Sequence, residues 1–204
     1  MKVIAMSGYA GSGKDTVAAH LIENHAYVRF AFADVLKDMV AEQYNIDVKM
    51  LHTPELKEAA LSQYPVFTAD KFGEMIHSFM QKEFKKDDNG VLCWTPRALA
   101  ILEGSVKRSV NSSYWVGRVV QKIKESSKNN PDASFVISDL RYKSEVKQLE
   151  AAFGDTLDIV RVERFKDSPS NDPSERDLDD YEFKNILNNT GTLEELYEKT
   201  QAFA

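Results

Sequence analysis

The sequence predicts an α/β protein with three layers, in which helices cover both faces of a five-stranded parallel sheet. Two observations indicate this. Five short apolar segments alternate with segments whose apolar residues recur at helical spacing. Glycines follow the first apolar segment immediately and precede the first helical pattern. Because ligands of such folds bind at the carboxyl ends of the strands, we expect the functional residues there.

The strands and helices follow in a regular order along most of the chain. The predicted strands are residues 2–6, 27–30, 134–138, 157–162 and 183–187. Helical spacing covers residues 14–24, 34–44, 114–127 and 143–153, and a capping box at 192–195 opens a closing helix. Residues 50–109 are predicted to be wholly helical, with Thr53-Pro54 and Thr95-Pro96 as helix starts.

Length and composition favour a single domain. The chain has 204 residues, of which 43% are hydrophobic. We expect a core at about 1–48 and 95–204, and a helical insertion at about 49–94. Residues 165–181 are polar and contain proline, which is typical of a loop or a flap.

The charge balance and the cysteine content limit the function classes. A net charge of −6 gives no broad basic surface, so we expect no nucleic-acid partner. Cys93 is the one cysteine, which excludes an intrachain disulfide and fits a reducing compartment. No apolar run approaches the roughly 20 residues that span a bilayer. These features predict a cytoplasmic protein without a membrane partner.

The strongest motif is Gly8-x-x-x-x-Gly13-Lys14, which lies between the first strand and the first helix. This is the context of a P-loop, where glycines let backbone N–H groups turn toward phosphates. The helix start adds the positive end of a dipole, and Lys14 adds a charge for the β- and γ-phosphates. A ligand-free glycine turn fits less well. We therefore predict that ATP phosphates bind to Gly11, Ser12, Gly13, Lys14, Asp15 and Thr16.

Asp15 departs from the usual motif, because Ser or Thr normally follows the lysine and offers a hydroxyl to Mg²⁺. Two interpretations stay open. The carboxylate of Asp15 is favoured by the helix dipole in any first turn. Alternatively, Asp15 ligates Mg²⁺ directly or through water, with Thr16 as the other candidate ligand.

Arg97 is predicted in the first turn of the helix that Thr95-Pro96 opens. A positive charge there opposes the helix dipole, which indicates a compensating anion. The alternative is an arginine that extends into solvent.

Several motifs together resemble a known family, the phage-type deoxynucleoside monophosphate kinases, which have the fold of nucleoside monophosphate kinases. They occur in the order of the family and span nearly the whole chain. The motifs are Ser7-Gly8, Ser12-Gly13-Lys14-Asp15-Thr16, Lys37-Asp38, residues 97–104, Tyr114-Trp115-Val116, Ser138-Asp139-Leu140-Arg141 with Glu145, Val162-Glu163-Arg164 and residues 189–196.

The resemblance implies a sheet order of 2-3-1-4-5, an insertion that binds the monophosphate, a flap over ATP, and Mg²⁺ as cofactor. It also implies an adenine contact near Asn189, a host-cell cytoplasm as location and a possible homodimer. The catalytic residues it implies are Lys14, Arg97, Asp139, Arg141 and Arg164. The monophosphate pocket it implies is Lys37, Arg97, Gly104, Trp115, Asp139, Arg141 and Glu145.

Some of these residues have structural alternatives. Trp115 on a helix is often a core residue, and Asp139 after a strand is often a helix N-cap. Glu145 can pair with Arg141 one turn earlier. Two rival functions also stay open: a P-loop kinase of another acceptor, such as a modified base in DNA or a phosphorylated metabolite, and a nucleotide-binding switch without catalysis.

Overall fold

A computed structural model describes residues 1–66, 80–164 and 173–203. Its main sheet has five parallel strands in the predicted order 2-3-1-4-5. The strands of this sheet are β1 (Val3–Ser7), β2 (Val28–Phe30), β5 (Phe135–Ile137), β6 (Leu157–Glu163) and β7 (Asn185–Asn188), and a hairpin of β3 (Lys85–Lys86) and β4 (Leu92–Cys93) lies apart. The predicted fold class is confirmed.

The α-helices follow the strands as the apolar spacing predicts. They are α1 (Lys14–His25), α2 (Phe32–Gln43), α3 (Lys49–His52), α4 (Pro96–Val110), α5 (Tyr114–Asn129), α6 (Lys143–Phe153), α7 (Pro173–Arg176) and α8 (Leu193–Thr200). Short 3₁₀ helices occur at Leu56–Glu58, Gln81–Glu83, Gly154–Thr156 and Gln201–Phe203. Among the described helices, no span is both long enough and apolar enough to cross a membrane.

β1 is the central strand, between β5 and β6, and all five of its residues are buried. Ile4 lies opposite Val136 on one side and Asp158 on the other. A strand covered on both faces needs a continuous apolar run, which is the pattern of Val3–Ser7. This places the glycine-rich loop that follows β1 near the middle of the carboxyl edge of the sheet.

The chain divides into two compact units. The first, here called the sheet unit, is Met1–Ala33 with Ser112–Ala204, and its core includes Met6, Leu21 and Val160. The second unit is Asp34–Asn111, with a core around Val40, Leu51 and Leu99. The predicted insertion at 49–94 lies within the second unit, and its assignment as an insertion in a single domain stays a prediction.

The prediction that residues 50–109 are wholly helical is wrong. Lys85 pairs with Cys93 in an antiparallel hairpin instead. The reason is local, because the Asp87 carboxylate accepts hydrogen bonds from the backbone of Asn89 and Val91 and so closes a turn. The start at Thr95-Pro96 is confirmed, since the Thr95 hydroxyl accepts a hydrogen bond from the backbone N–H of Ala98.

Two predicted segments fall partly outside the described residues. Residues 67–79 belong to the predicted helical insertion, and residues 165–172 belong to the predicted flap. The remainder of the flap begins with the four-residue helix α7 and continues through turns to Tyr181.

Candidate active site at the carboxyl edge of the sheet

The glycine-rich loop between β1 and α1 forms a tight backbone turn. The N–H of Ser12 donates to the carbonyl of Tyr9 at 3.0 Å, and Gly13 has a φ of 98° immediately before α1. Because Gly13 has no side chain, it cannot cap the first N–H groups of α1 as Ser or Asp would. We call residues 8–16 the phosphate cradle, since its backbone N–H groups and helix start suit an anion.

Gly13 is required by close packing as well as by its backbone angle. A Cβ at Gly13 would overlap the side-chain nitrogen of Asn189. That nitrogen donates to the carbonyl of Ser12 at 2.8 Å, and the backbone N–H of Asn189 donates to the carbonyl of Glu163 at 2.7 Å. Asn189 therefore holds the cradle to the end of β6, which is a role that the sequence did not predict. Its predicted place near adenine stays a prediction.

Lys14 and Ser12 are the buried polar side chains of the cradle. The side chain of Lys14 is only 7% exposed, and its Nζ lies 3.4 Å from the carbonyl oxygen of Tyr9. The Ser12 hydroxyl is buried and has no hydrogen-bond partner among the described residues. The lysine charge is thus held within the loop, as phosphate binding requires.

Asp15 and Thr16 lie in the first turn of α1, where Asp15 is exposed and Thr16 is partly buried. Across residues 1–66, 80–164 and 173–203, no group of three or more His, Cys, Asp or Glu side chains could hold a metal ion. Mg²⁺ in phosphoryl-transfer sites takes only one or two protein oxygens, because phosphates and water supply the other ligands. Asp15 and Thr16 fit that requirement, and the choice between them stays open.

Asp139 follows β5 and binds the start of a neighbouring helix. Its two carboxylate oxygens accept hydrogen bonds from the backbone of Phe32 at 2.9 Å and of Ala33 at 2.8 Å. The alternative that Asp139 is the N-cap of the helix that follows it is wrong, because Tyr142 is the N-cap of α6 and Asp139 instead accepts from the start of α2. A role of Asp139 in binding the monophosphate stays a prediction.

Arg141 and Glu145 lie between β5 and the first turn of α6. The Glu145 carboxylate is buried and accepts hydrogen bonds from the backbone N–H groups of Arg141 and Tyr142. The expected alternative of an ion pair between Glu145 and the Arg141 guanidinium is wrong. The guanidinium binds Glu175 at 2.5 Å and the Ser174 hydroxyl at 3.2 Å instead.

Trp115 in α5 is 3% exposed and packs edge-to-face on Tyr114, with 4.8 Å between ring centroids. This burial favours the core interpretation of Trp115 over base stacking. A tryptophan so deeply covered offers little ring face to a ligand, and its pocket role stays a prediction.

Arg161 is a buried arginine beside the cradle that the sequence analysis did not single out. Arg161 in β6 is 6% exposed, donates to the Ser7 hydroxyl at 3.0 Å, and pairs with Asp179 at 3.5 Å. Its guanidinium lies 4.4 Å from the centroid of Tyr9 and 5.4 Å from that of Phe183. Its strand also contains Asp158 and Glu163, so a charge in this strand did not by itself mark Arg161 as a functional residue.

A cleft opens beside Arg161 at the edge of the sheet. The predicted catalytic Arg164 lines it, together with Tyr9, Phe183, Asn188 and Thr190. The cleft therefore joins the cradle to the segment after β7. Its aromatic and polar lining suits a flat, polar heterocycle.

In the second unit, Arg97 has acidic partners. Its guanidinium pairs with the carboxylate of Glu58 and lies 4.0 Å from that of Glu83, and its side chain is 39% exposed. These carboxylates belong to the protein itself, so the bound anion expected at Arg97 stays a prediction. The alternative of an arginine extending freely into solvent is wrong.

Lys37 and Gly104 complete the predicted residues of the second unit. Lys37 Nζ lies 3.8 Å from an Asp34 oxygen and 3.4 Å from His52 Nδ1. A Cβ at Gly104 would lie 3.2 Å from Leu36, so this glycine permits close helix packing. The places of Lys37, Arg97 and Gly104 relative to the cradle stay predictions.

Glu103 in α4 is a second buried charge that the sequence did not single out. It is 8% exposed and accepts hydrogen bonds from Gln43 and from the Tyr44 hydroxyl, each at 2.7 Å. Burial, reinforced by the hydrogen bond to Glu103, raises the pKa of Tyr44 to about 12. Tyr44 therefore stays protonated and donates to Glu103 at neutral pH.

The chain combines a glycine-rich loop that suits an anion with the carboxyl edge of a parallel 2-3-1-4-5 sheet, which is the arrangement of a P-loop. Comparisons with known proteins show a resemblance to one family. A family model described as deoxynucleotide monophosphate kinase matches residues 2–64. A curated protein of Acanthamoeba polyphaga mimivirus, named "Putative deoxynucleotide monophosphate kinase", is 27% identical over 203 residues, which are 97% of this chain and 93% of the relative. The resemblance to this family is confirmed, and the two matches support a phosphotransferase of the kinase type.

Two solved structures are more distant. A gluconokinase from Sinorhizobium meliloti 1021 is 13% identical, with a TM-score of 0.46 over 98% of this chain and 90% of its own. A sugar kinase from Janibacter sp. HTCC2649 is also 13% identical, with a TM-score of 0.47 over 100% of this chain and 94% of its own. Similarities of this size say nothing about the substrate.

Proposed function

We propose that this chain is a deoxynucleoside monophosphate kinase, which transfers the γ-phosphoryl group of ATP to a deoxynucleoside monophosphate and yields ADP and a deoxynucleoside diphosphate. The observation that carries the proposal is the cradle with its buried Lys14, within the segment that matches the family model. Reaction of an anionic acceptor needs little general-base help, so positioning and charge neutralisation supply most of the rate.

On the donor side, the proposal assigns the phosphates of ATP to the cradle. Backbone N–H groups after Gly8, the start of α1 and the Lys14 ammonium offer fixed positive charge to the β- and γ-phosphates. Asp15 or Thr16 would hold Mg²⁺, which neutralises charge on these phosphates when it is bound. The cleft that Arg164 and Thr190 line supports a place for the adenosine part.

On the acceptor side, the proposal assigns the monophosphate to Arg97 and Arg141. A planar guanidinium can bind two phosphate oxygens at once, which makes arginine well suited to this substrate. Each of the two arginines has a glutamate on its guanidinium, Glu58 and Glu175 respectively. A phosphate that binds either guanidinium must therefore replace this carboxylate as its partner. Arg164 is proposed to stabilise charge on the transferred phosphoryl group.

Other predictions of the sequence accompany this proposal. They are a cytoplasmic location, nucleotides as small-molecule partners, no membrane or nucleic-acid partner, and a homodimer. We propose that closure of residues 165–181 over ATP excludes water and so limits wasteful hydrolysis.

The proposal is tested by ADP release from MgATP with a panel of acceptors. The panel contains the four deoxynucleoside monophosphates, the ribonucleoside monophosphates, duplex DNA and a reaction without acceptor. We expect turnover with at least one deoxynucleoside monophosphate and formation of the matching diphosphate, detected by chromatography. Turnover with DNA alone would assign the rival kinase function. ADP release that no acceptor stimulates would contradict the proposal.

A further inference from the structure

Two carboxylates from one segment contact successive residues of the cradle. The segment comprises residues 174–180 and is here called the acidic strap. Glu175 accepts a hydrogen bond from the backbone N–H of Ala10 at 2.8 Å. Asp179 accepts one from the Tyr9 hydroxyl at 2.6 Å. The strap is more than 160 residues away from the cradle in sequence, so these contacts are set by the tertiary structure.

Each carboxylate also binds an arginine of the sheet unit. The other oxygen of Glu175 accepts from Arg141 Nη1 at 2.5 Å, and Asp179 lies 3.5 Å from Arg161 Nη2. Glu175 therefore joins a backbone N–H of the cradle to a guanidinium. This is the donor set that protein sites offer to a phosphate, with an N–H from the loop and a charged fork from an arginine.

Glu175 is unusually covered for a glutamate in a short polar helix, since its side chain is 8% exposed. A carboxylate loses hydration when it is buried and needs compensating hydrogen bonds. Ala10 and Arg141 supply that compensation, whereas Arg141 itself is 39% exposed. The Glu175 carboxylate thus lies between a backbone N–H of the cradle and a guanidinium, both of which attract an anion.

We infer that the acidic strap is an internal competitor of the donor phosphates, in which Glu175 occupies phosphate-binding donors until a nucleotide displaces it. The inference rests on the proposed function, since it takes the cradle as the ATP site. A phosphate and the Glu175 carboxylate cannot share the same N–H donors, because their negative charges repel at hydrogen-bond distance. Arrival of ATP therefore expels the Glu175 carboxylate from the cradle, before the proposed flap of residues 165–181, which carries Glu175, closes over the nucleotide.

Displacement of Glu175 has a consequence for the acceptor. The Arg141 guanidinium loses its carboxylate partner at the same moment and becomes able to bind another anion. Binding of ATP then prepares Arg141 for the acceptor phosphate, which links the two substrates through one side chain. The strap would thereby reduce ATP affinity and favour binding of ATP before the monophosphate.

The test replaces the competing charge with a neutral side chain of the same shape. Glu175→Gln is titrated with MgATP and with tripolyphosphate, which has the phosphates without the nucleoside. We expect both ligands to bind about tenfold more tightly than to the unsubstituted protein, a size typical of coupling between two states. Asp180→Asn is the matched control, because Asp180 lies on the same strap but pairs with Lys143. Its affinities should stay within about twofold of the unsubstituted protein.

The contrary outcomes differ between the two proposals. If Glu175 instead positions Arg141, Glu175→Gln leaves ATP affinity unchanged and raises the acceptor KM, which overturns the inference and leaves the proposed function intact. If neither protein binds ATP or tripolyphosphate, both proposals fail.

Discussion

The phosphate cradle and the two acceptor arginines are built in different ways. The cradle consists of consecutive residues whose backbone angles are set by glycines such as Gly13, so its form depends mainly on local sequence. Arg97 and Arg141 depend on distant partners, because Glu58 lies 39 residues from the first and Glu175 lies 34 residues from the second. A site formed by the backbone of consecutive residues can therefore be recognised from a short motif. A site formed by side chains and their distant partners can be recognised only in the tertiary structure.

The two arginines share a further property. Each is 39% exposed and already paired with a glutamate. A phosphate that binds such an arginine must compete with this carboxylate, so the gain in free energy is smaller than for an unpaired guanidinium. In the cradle, Glu175 accepts a hydrogen bond from the backbone N–H of Ala10, whereas the Lys14 ammonium lies against the carbonyl of Tyr9 rather than against a carboxylate. We therefore expect loss of the cradle lysine to be the more severe change.

The largest effect is expected from Lys14→Met. Methionine preserves the packing of the buried alkyl chain but removes the charge that faces the phosphates, so the protein should fold and lose activity. Turnover should fall at least about a thousandfold, as for other groups that stabilise a transferred phosphoryl. Steady-state ADP release and circular dichroism measure the two parts of this expectation.

Lys2→Met is the matched control for Lys14→Met. It makes the same chemical change on a lysine whose Nζ lies 3.7 Å from Asp158, and both side chains of that pair are more than a third exposed. A surface pair of this kind contributes little, so activity should be nearly unchanged. A folded Lys14→Met variant that retains turnover would remove the cradle from the mechanism.

A smaller effect is expected from Arg97→Ala and Arg141→Ala. Each loses a charge-assisted contact worth about 1.5–3 kcal/mol, so the monophosphate KM should rise about 10- to 100-fold. The KM for ATP should change less in both variants, which initial rates over a grid of both substrates can measure. Arg118→Ala is the control, because Arg118 is exposed and contacts Tyr114 on its own helix. An effect confined to ATP would move the arginine to the donor side.

The sequence predicted the sheet well because apolar runs, such as the fully buried β1 and β5, interrupt a helical pattern. The order 2-3-1-4-5 came from the family resemblance alone, since periodicity does not say which strands are neighbours. The hairpin at Lys85–Lys86 and Leu92–Cys93 was missed because two-residue strands have too few side chains to show alternation.

The site was predicted unevenly for a related reason. The glycines of the motif from Gly8 to Lys14 indicate the backbone conformation of the loop directly. In contrast, nothing near Glu175 in the sequence indicates that its carboxylate accepts a hydrogen bond from Ala10. Arg161 also received no role, although its guanidinium lies close to the rings of both Tyr9 and Phe183. Residues that act through contacts distant in sequence need the fold before they can be recognised.

The smallest effect is expected from Asn189→Ala. This substitution also tests most directly whether the form of the cradle depends on its own sequence alone. This change removes the side-chain hydrogen bond to the Ser12 carbonyl, worth about 1 kcal/mol, so the KM for ATP should rise about fivefold with little change in the monophosphate KM. Asn185→Ala is the control, because Asn185 lies at the other end of β7 and bonds Ile159 at 3.5 Å. An unchanged KM for ATP would contradict this expectation and show that the cradle keeps its form without support from the end of β7. The predicted contact between adenine and the backbone of Asn189 would then stand, because the substitution by alanine leaves the backbone in place.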